Sequence, residues 1–234
     1  MVRVEELTKR YGTLEALKGV SAEFPPGVVT AVVGPNASGK TTLMKSILGL
    51  VVPDSGNVWV MDRPALKNPK VREHIGYMPQ DPRFPENVTV REVIRWIEEL
   101  RGRPKLDLEE LMAYFGLEPH LEKPTRVLSG GTRQKLSAVL AFLFDPEVLI
   151  LDEPTAGLDP LASSRFKDRV AGEKERGKTV ILTSHVMSEL EELADRVVFL
   201  LEGAVVFSGD LDELRERTGE TRLERAVARL MEAS

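Results

Sequence analysis

A glycine-rich segment at positions 34–41 follows an apolar run and precedes a helical pattern. Its sequence, GPNASGKT, fits the spacing G-x-x-x-x-G-K-[ST] without a mismatch. Glycines let backbone N–H groups turn towards an anion, and the following helix directs its positive end to the same place. Lys40 would place a charge at the outer phosphates, and the Thr41 hydroxyl suits a bound cation. A turn that merely caps a helix is the simpler alternative, which the strand–loop–helix context disfavours.

Three short apolar runs indicate a mostly parallel sheet, because they are continuous rather than alternating. They cover residues 28–34, 147–154 and 179–185. The first ends in the glycine-rich loop, the second in Asp152 and Glu153, and the third in His185. Ligands of open α/β sheets bind beyond the carboxyl ends of the strands. We therefore predict an α/β fold with a phosphate site at this edge.

The acidic pair Asp152-Glu153 suits hydrolysis of a phosphate anhydride. Asp152 would hold the shell of a magnesium ion, and Glu153 would accept a proton from the attacking water or polarise it. Two residues are needed because a carboxylate fixed on a metal is a poor base. A solvated acidic turn is the alternative, and the phosphate loop on a neighbouring strand favours the functional interpretation.

Other segments predict additions to the central sheet. Alternating residues within the first 27 positions and at 56–63 predict an antiparallel flank. The stretch 197–209 predicts a hairpin that turns at Glu202-Gly203. Residues 86–145 are mostly helical, which suggests an inserted subdomain because plain crossovers are shorter. The charged tail, about 211–234, is helical and is either a cap or a docking surface.

Composition limits the partners and the compartment. The 234 residues carry 32 basic and 37 acidic side chains, a net charge of −5, which argues against nucleic acid as the main partner. The absence of cysteine excludes disulfides and thiolate metal sites. The N-terminus lacks a signal-peptide pattern, and no run approaches about 18 apolar residues. We expect a cytoplasmic protein, so any membrane-spanning part belongs to another chain.

The tetrapeptide Leu-Ser-Gly-Gly at 128–131 opens a helix just before the Asp-Glu strand. This arrangement resembles the signature of ATP-binding cassette (ABC) ATPases, and the similarity extends over about residues 2–209. It implies a P-loop NTPase (RecA-like) core with a mostly parallel sheet, an antiparallel β flank and an inserted helical subdomain that contains the signature. Thr132 departs from the family, which often carries glutamine there.

The resemblance also implies site residues. It assigns catalysis to Glu153, His185, Gln80 and Lys40, and magnesium to Thr41, Gln80 and Asp152. It assigns ATP binding to Tyr11, Gly34, Pro35, Asn36, Ala37, Ser38, Gly39, Lys40, Thr41, Thr42, Ser129, Gly130, Gly131 and Asp159. Three of these have plain alternatives: a structural histidine at 185, a packing aromatic at 11 and a solvated glutamine at 80. We further expect Ala37 to have a negative φ, because a left-handed alanine costs about 1 kcal/mol.

The function implied is an ATPase that powers a membrane transporter through separate transmembrane permease subunits. Two copies, or one copy and a related ATPase chain, would sandwich two Mg-ATP, and the assembly would lie on the inner face of the membrane. The stretch DPRFPENVTVREVI is similar to that of ABC-2 type exporter ATPases. A non-transport ABC ATPase acting on a cytosolic assembly or nucleic acid is the alternative. A P-loop kinase or GTPase has no place for Leu-Ser-Gly-Gly.

Overall fold

The computed structural model describes residues 1–66 and 68–232, so the last two residues of the predicted tail lie outside the described residues. The strands are β1 Val2–Tyr11, β2 Leu14–Phe24, β3 Val28–Val33, β4 Ser55–Val60, β5 Arg63–Pro64, β6 Ile75–Met78, β7 Val148–Asp152, β8 Thr179–Thr183, β9 Arg196–Leu201 and β10 Ala204–Asp210. The helices are α1 Lys40–Ile47, α2 Val90–Arg101, α3 Leu108–Phe115, α4 Gly130–Phe142, α5 Pro160–Glu175, α6 Met187–Leu193, α7 Leu211–Thr218 and α8 Leu223–Glu232.

The central sheet has six strands in the order β10-β9-β3-β8-β7-β6. Strands β9, β3, β8, β7 and β6 are mutually parallel, and β10 pairs with β9 in the antiparallel sense. The three apolar runs predicted as parallel strands are β3, β7 and β8, and they are neighbours. Their carboxyl ends therefore meet at one edge. The predicted hairpin is β9–β10, with Glu202 and Gly203 between the strands.

A second, antiparallel sheet has the order β2-β1-β4-β5. Its alternating sequence buries one face, as in β1, where Val2, Val4 and Leu7 are buried. The predicted antiparallel flank is thus confirmed, and it covers one side of the central sheet together with α1.

Both faces of the central sheet are buried, which explains why its strands are apolar without alternation. Leu149 and Leu151 of β7 pack into a cluster with the helices α2 to α8. Val148 and Ile150 of the same strand pack into a second cluster with α1 and the antiparallel sheet. The strands are therefore held from both sides, and their ends are fixed in position.

Helices α2, α3 and α4 lie between β6 and β7 in the chain, within the segment predicted to be helical. Helix α4 ends at Phe142, three residues before the end of the segment predicted to be helical. In the tail, Leu214 of α7 and Ala226 of α8 belong to the same cluster as the core helices. The described tail thus packs its apolar face on the core. Within the described part of the chain, no helix has the length and apolar character needed to cross a membrane.

A buried ion-pair cluster joins α5 to the start of β8. The Glu173 carboxylate has only 2% of its side chain exposed and lies 2.5 Å from Lys178 Nζ, 2.7 Å from Arg169 Nη2 and 3.1 Å from Arg176 Nη1. We expect Glu173→Ala to lower the free energy of unfolding by about 3 kcal/mol, because a buried Lys178 would lose a partner. Urea unfolding measures this, with exposed Glu175→Ala as the control on the same helix. A loss below about 1 kcal/mol would contradict it.

Candidate functional site

The carboxyl ends of β3, β6, β7 and β8 surround a cavity of about 360 Å³. The side chains predicted for nucleotide binding and hydrolysis converge on it from separate parts of the chain. It is lined by Tyr11, Leu14, Ala16, Asn36, Ala37, Ser38, Gly39, Lys40, Thr41, Thr42, Gln80, Asp152, Glu153 and His185. The lining residues at 36–42, 80, 152–153 and 185 come together because each group lies at or just after the carboxyl end of a parallel strand, and these ends meet at one edge. Tyr11, Leu14 and Ala16 reach the cavity from the antiparallel sheet.

The loop between β3 and α1 needs glycine at both of its ends. A Cβ on Gly34 would lie 2.1 Å from the Leu200 carbonyl oxygen, which is too close for any side chain. Gly39 has φ 106°, and a Cβ there would lie 2.5 Å from the Ala16 carbonyl oxygen. Helix α1 begins directly after Gly39, at Lys40. The loop therefore packs tightly against two strands and presents the N-terminus of α1 to the cavity.

The expectation for Ala37 is wrong, because its φ is 63°, in the left-handed region. The Ser38 N–H donates to the Pro35 carbonyl oxygen at 3.2 Å, which closes a four-residue turn with Ala37 in its third position. A type II turn requires a positive φ at that position. The closed turn imposes this conformation on alanine at a cost of about 1–2 kcal/mol.

Lys40 is the first residue of α1, and its half-buried side chain reaches back into the loop. Its Nζ donates to the carbonyl oxygens of Gly34 at 2.7 Å and Pro35 at 2.9 Å. Burial lowers the pKa of Lys40, and the negative charges of Glu153 and Asp152 act in the opposite direction. The ammonium group is thus held inside the curve of the loop, close to where the backbone would receive phosphate oxygens.

The two acids at the end of β7 have different surroundings. The Thr183 hydroxyl donates to Asp152 Oδ1 at 2.6 Å. The His185 N–H donates to Glu153 Oε2 at 3.1 Å, and His185 Nε2 lies 3.3 Å from Glu153 Oε1. Burial raises the pKa of Glu153, and the contacts with His185 partly oppose that shift. A raised pKa makes this carboxylate a better proton acceptor than an exposed glutamate.

Some predicted residues lie away from the cavity. Ser129, Gly130, Gly131 and Asp159 do not line it. Ser129 caps α4, where its Oγ accepts from the Thr132 N–H at 3.1 Å and contacts the Thr132 hydroxyl at 2.8 Å. Asp159 caps α5 and pairs with Lys135 at 2.7 Å, and the hydrogen bond from Lys135 lowers its pKa.

Gly34 and Pro35 contribute carbonyl oxygens to Lys40 rather than surface to the cavity. Tyr11 lines the cavity and is 48% exposed, and Lys9 Nζ lies 5.5 Å from the centre of its ring. The exposed part of the ring offers a surface on which a flat ligand could stack. Sequence reasoning missed Leu14 and Ala16, which line the cavity from β2. The tight turn at Gly12-Thr13 could have predicted this, because it pairs Leu14 with Tyr11 across β1 and β2 and so places Leu14 beside a predicted site residue.

Comparison with known families agrees with this geometry. A family model described as ABC transporter matches residues 17–156, which is more than half of the chain. The chain belongs to the ABC transporter family. Its fold is that of a P-loop NTPase with a mostly parallel sheet and an antiparallel flank, as predicted.

Curated members of the ABC transporter family resemble the chain over nearly all of its length. A daunorubicin resistance ATP-binding protein of Streptomyces coeruleorubidus is 34% identical, covering 95% of this chain and 72% of that protein. A linearmycin resistance ATP-binding protein of Bacillus subtilis is 32% identical, covering 100% and 77%. A lantibiotic transport ATP-binding protein of Streptococcus pyogenes is 31% identical, covering 91% and 92%.

Solved structures agree on the architecture of this ABC transporter chain. An ATP-binding subunit of an ABC transporter has a TM-score of 0.93 and 30% identity, with 99% of both chains covered. A dimeric post-hydrolysis cassette bound to ADP and Pi has a TM-score of 0.80 and 23% identity, covering 90% of this chain and 99% of that one, and it supports the fold alone. The chain is an ATP-binding subunit with ATPase activity, the part that powers a membrane transporter.

Proposed function

We propose that two copies of this chain hold two ATP molecules between them and that hydrolysis separates the copies. The proposal rests on one observation: the predicted ATP-binding residues lie in two separate places on the chain's surface. The cavity holds the phosphate loop and the acids, whereas Ser129 and Gly130 stand exposed at the start of α4, outside it. A helix N-terminus with a serine cap suits an anion. In a pair of copies, the start of α4 from one copy would contact the outer phosphate of the ATP bound in the cavity of the other copy. Within a single copy, the start of α4 lies outside the cavity and does not contact that phosphate.

We propose magnesium as the cation of the site. The Thr41 hydroxyl, the Gln80 amide and the Asp152 carboxylate line one cavity, and oxygen donors of this kind fit magnesium, which takes few protein ligands beside phosphates. When bound, the ion would neutralise charge on the phosphates. Glu153 would then accept a proton from the attacking water, and His185 would hold the Glu153 carboxylate in place.

We also propose that a groove beside Gln80 receives a separate membrane permease, at the inner face of the membrane. The groove has a volume of about 620 Å³ and is lined by Asp81, Pro82, Arg83, Phe84, Glu86, Thr125, Arg126 and Arg133. Its two walls are tied together, since the Thr125 N–H donates to the Val88 carbonyl oxygen at 2.8 Å. An occupant would therefore contact both the segment after Gln80 and the segment before Ser129. The second of these segments lies within the helical subdomain that we propose at 86–145.

The relatives favour export as the direction. Two of them are named for resistance to daunorubicin and linearmycin, and others for Nod factor export. We propose that this chain likewise serves an exporter of the ABC-2 type. The acidic net charge disfavours nucleic acid, and an ABC ATPase acting on a cytosolic assembly is the second candidate.

Capture from detergent extracts tests the groove. We expect the chain to recover a protein with several membrane spans, and the double variant Arg83→Glu/Arg126→Glu to reduce that recovery at least about tenfold, because reversed charges repel the partner. The ATPase rate of the isolated variant should remain within about twofold, since neither residue lines the nucleotide cavity. Arg225→Glu, an exposed change on α8, is the matched control. Recovery of a cytosolic assembly or nucleic acid instead would favour the second candidate.

A further inference from the structure

Gln134 links the signature helix to the loop that carries the acids. It lies in the second turn of α4 and is 2% exposed. Its amide nitrogen donates to the Glu153 carbonyl oxygen at 3.1 Å and to the Pro154 carbonyl oxygen at 3.2 Å. Both acceptors are carbonyls, so only the NH₂ side of the amide can face them. The Glu153 carbonyl oxygen also accepts from the Ala156 N–H at 3.2 Å, so the buried glutamine adds a second donor there and a side-chain donor at Pro154.

The backbone that Gln134 contacts has an uncommon conformation. Glu153 has φ 50°, in the left-handed region, which is costly for a residue with a Cβ. On the other side, the Glu153 N–H donates to the Thr183 carbonyl oxygen at 3.2 Å and to the Thr183 hydroxyl at 3.1 Å. Thr183 thus holds the peptide group before the Glu153 Cα, and Gln134 contacts the peptide group after it. Such strain persists only where the surroundings fix it.

We propose that Gln134 is a positioning residue for Glu153: it fixes the left-handed backbone that directs the carboxylate towards the attacking water. The proposal rests on the role of Glu153 as proton acceptor. Gln134 does not line the cavity, so it acts through the backbone and not on the nucleotide.

Gln134 also lies five residues after Ser129, about 7.5 Å along the same helix. A shift of α4 caused by a nucleotide on the partner copy would therefore reach Glu153 of this copy.

Gln134→Met is the first test, because methionine has a similar length and no donor. We expect kcat to fall roughly 10- to 100-fold at one enzyme concentration, as a displacement of about 1 Å is enough for such a loss. The affinity for ATP, measured by calorimetry, should stay within about threefold of wild type, because the phosphate loop is untouched. Val139→Ala, a buried change on the same helix, is the control for lost stability, and it should leave kcat within about twofold.

A double variant distinguishes positioning from general damage. If Gln134 acts only through Glu153, Gln134→Met should cause no further loss of kcat in a Glu153→Gln background. The proposal would be overturned if the losses of kcat from Gln134→Met and Glu153→Gln multiply in the double variant. It would also be overturned if Gln134→Met has a wild-type kcat, or if its ATP affinity falls as much as its kcat. Should Gln134→Met fail to fold, Gln134→Asn replaces it: its shorter amide should lower kcat at unchanged affinity, and a folded variant with wild-type kcat would overturn the proposal. Full activity of Glu153→Gln alone would refute the role of Glu153 instead.

Discussion

Glu153→Gln is expected to lower the turnover of ATP by about 10²- to 10⁴-fold, the usual contribution of a general base. The amide cannot accept the proton of the attacking water. It keeps the size of the side chain, and its oxygen can still accept the hydrogen bond from the His185 N–H. ATP affinity should stay unchanged or rise slightly, because a negative charge is removed from the cavity. Steady-state turnover and calorimetry with Mg-ATP measure the two effects.

Glu189→Gln is the matched control for this change. Glu189 accepts from the hydroxyls of Thr155 at 2.6 Å and Ser184 at 3.3 Å, close to the same loops, but it does not line the cavity. We expect its turnover to stay within about threefold of wild type, since an amide oxygen still accepts those bonds. Equal losses in both variants would show that the loops, and not the Glu153 carboxylate, carry the effect.

Lys40→Ala is expected to weaken ATP binding roughly 10- to 100-fold, which corresponds to about 1.5–3 kcal/mol for hydrogen bonds to a charged group. The ammonium group lies within the curve of the loop, so it would exchange the Gly34 and Pro35 carbonyls for phosphate oxygens. The loss should be larger for ATP than for AMP, because Lys40 would contact the β- and γ-phosphates. Calorimetry with each nucleotide measures this.

Lys45→Ala removes the same charge from the last turn of the same helix, where Lys45 is exposed. It should leave ATP affinity within about twofold, because Lys45 does not line the cavity and its exposed charge is screened by solvent and salt. If Lys40→Ala were as mild as Lys45→Ala, the loop would bind phosphate through its backbone alone, and the role given to Lys40 would be wrong.

The sequence was sufficient for the parts of the fold that rest on local patterns. Continuous apolar runs identified β3, β7 and β8, because strands buried on both faces cannot alternate. The glycine spacing identified the loop, since Gly34 and Gly39 are required by steric contacts that no other residue satisfies. The sequence of α7 and α8 is rich in charged residues, so it did not predict whether these helices pack on the core or remain a docking surface. Their packing depends on the few apolar residues that each helix buries.

The parts of the site that the sequence did not reveal depend on contacts between distant residues. Ala37 has a left-handed backbone because of a turn closed by Pro35 and Ser38, and no residue type at position 37 signals this. Gln134 and Thr183 hold the Glu153 backbone from 19 and 30 positions away. Such contacts exist only after the sheet has formed, so they have no spacing rule that a reader of the sequence could apply.

The mass of Glu153→Gln in solution tests the central claim, that ATP is held between two copies. Light scattering with saturating Mg-ATP should give the mass of two chains, and the same sample without nucleotide should give the mass of one. Adding Lys40→Ala to this variant should abolish the larger species, because the nucleotide no longer binds. A mass of one chain with Mg-ATP at every protein concentration, while calorimetry shows the nucleotide bound, would contradict the claim.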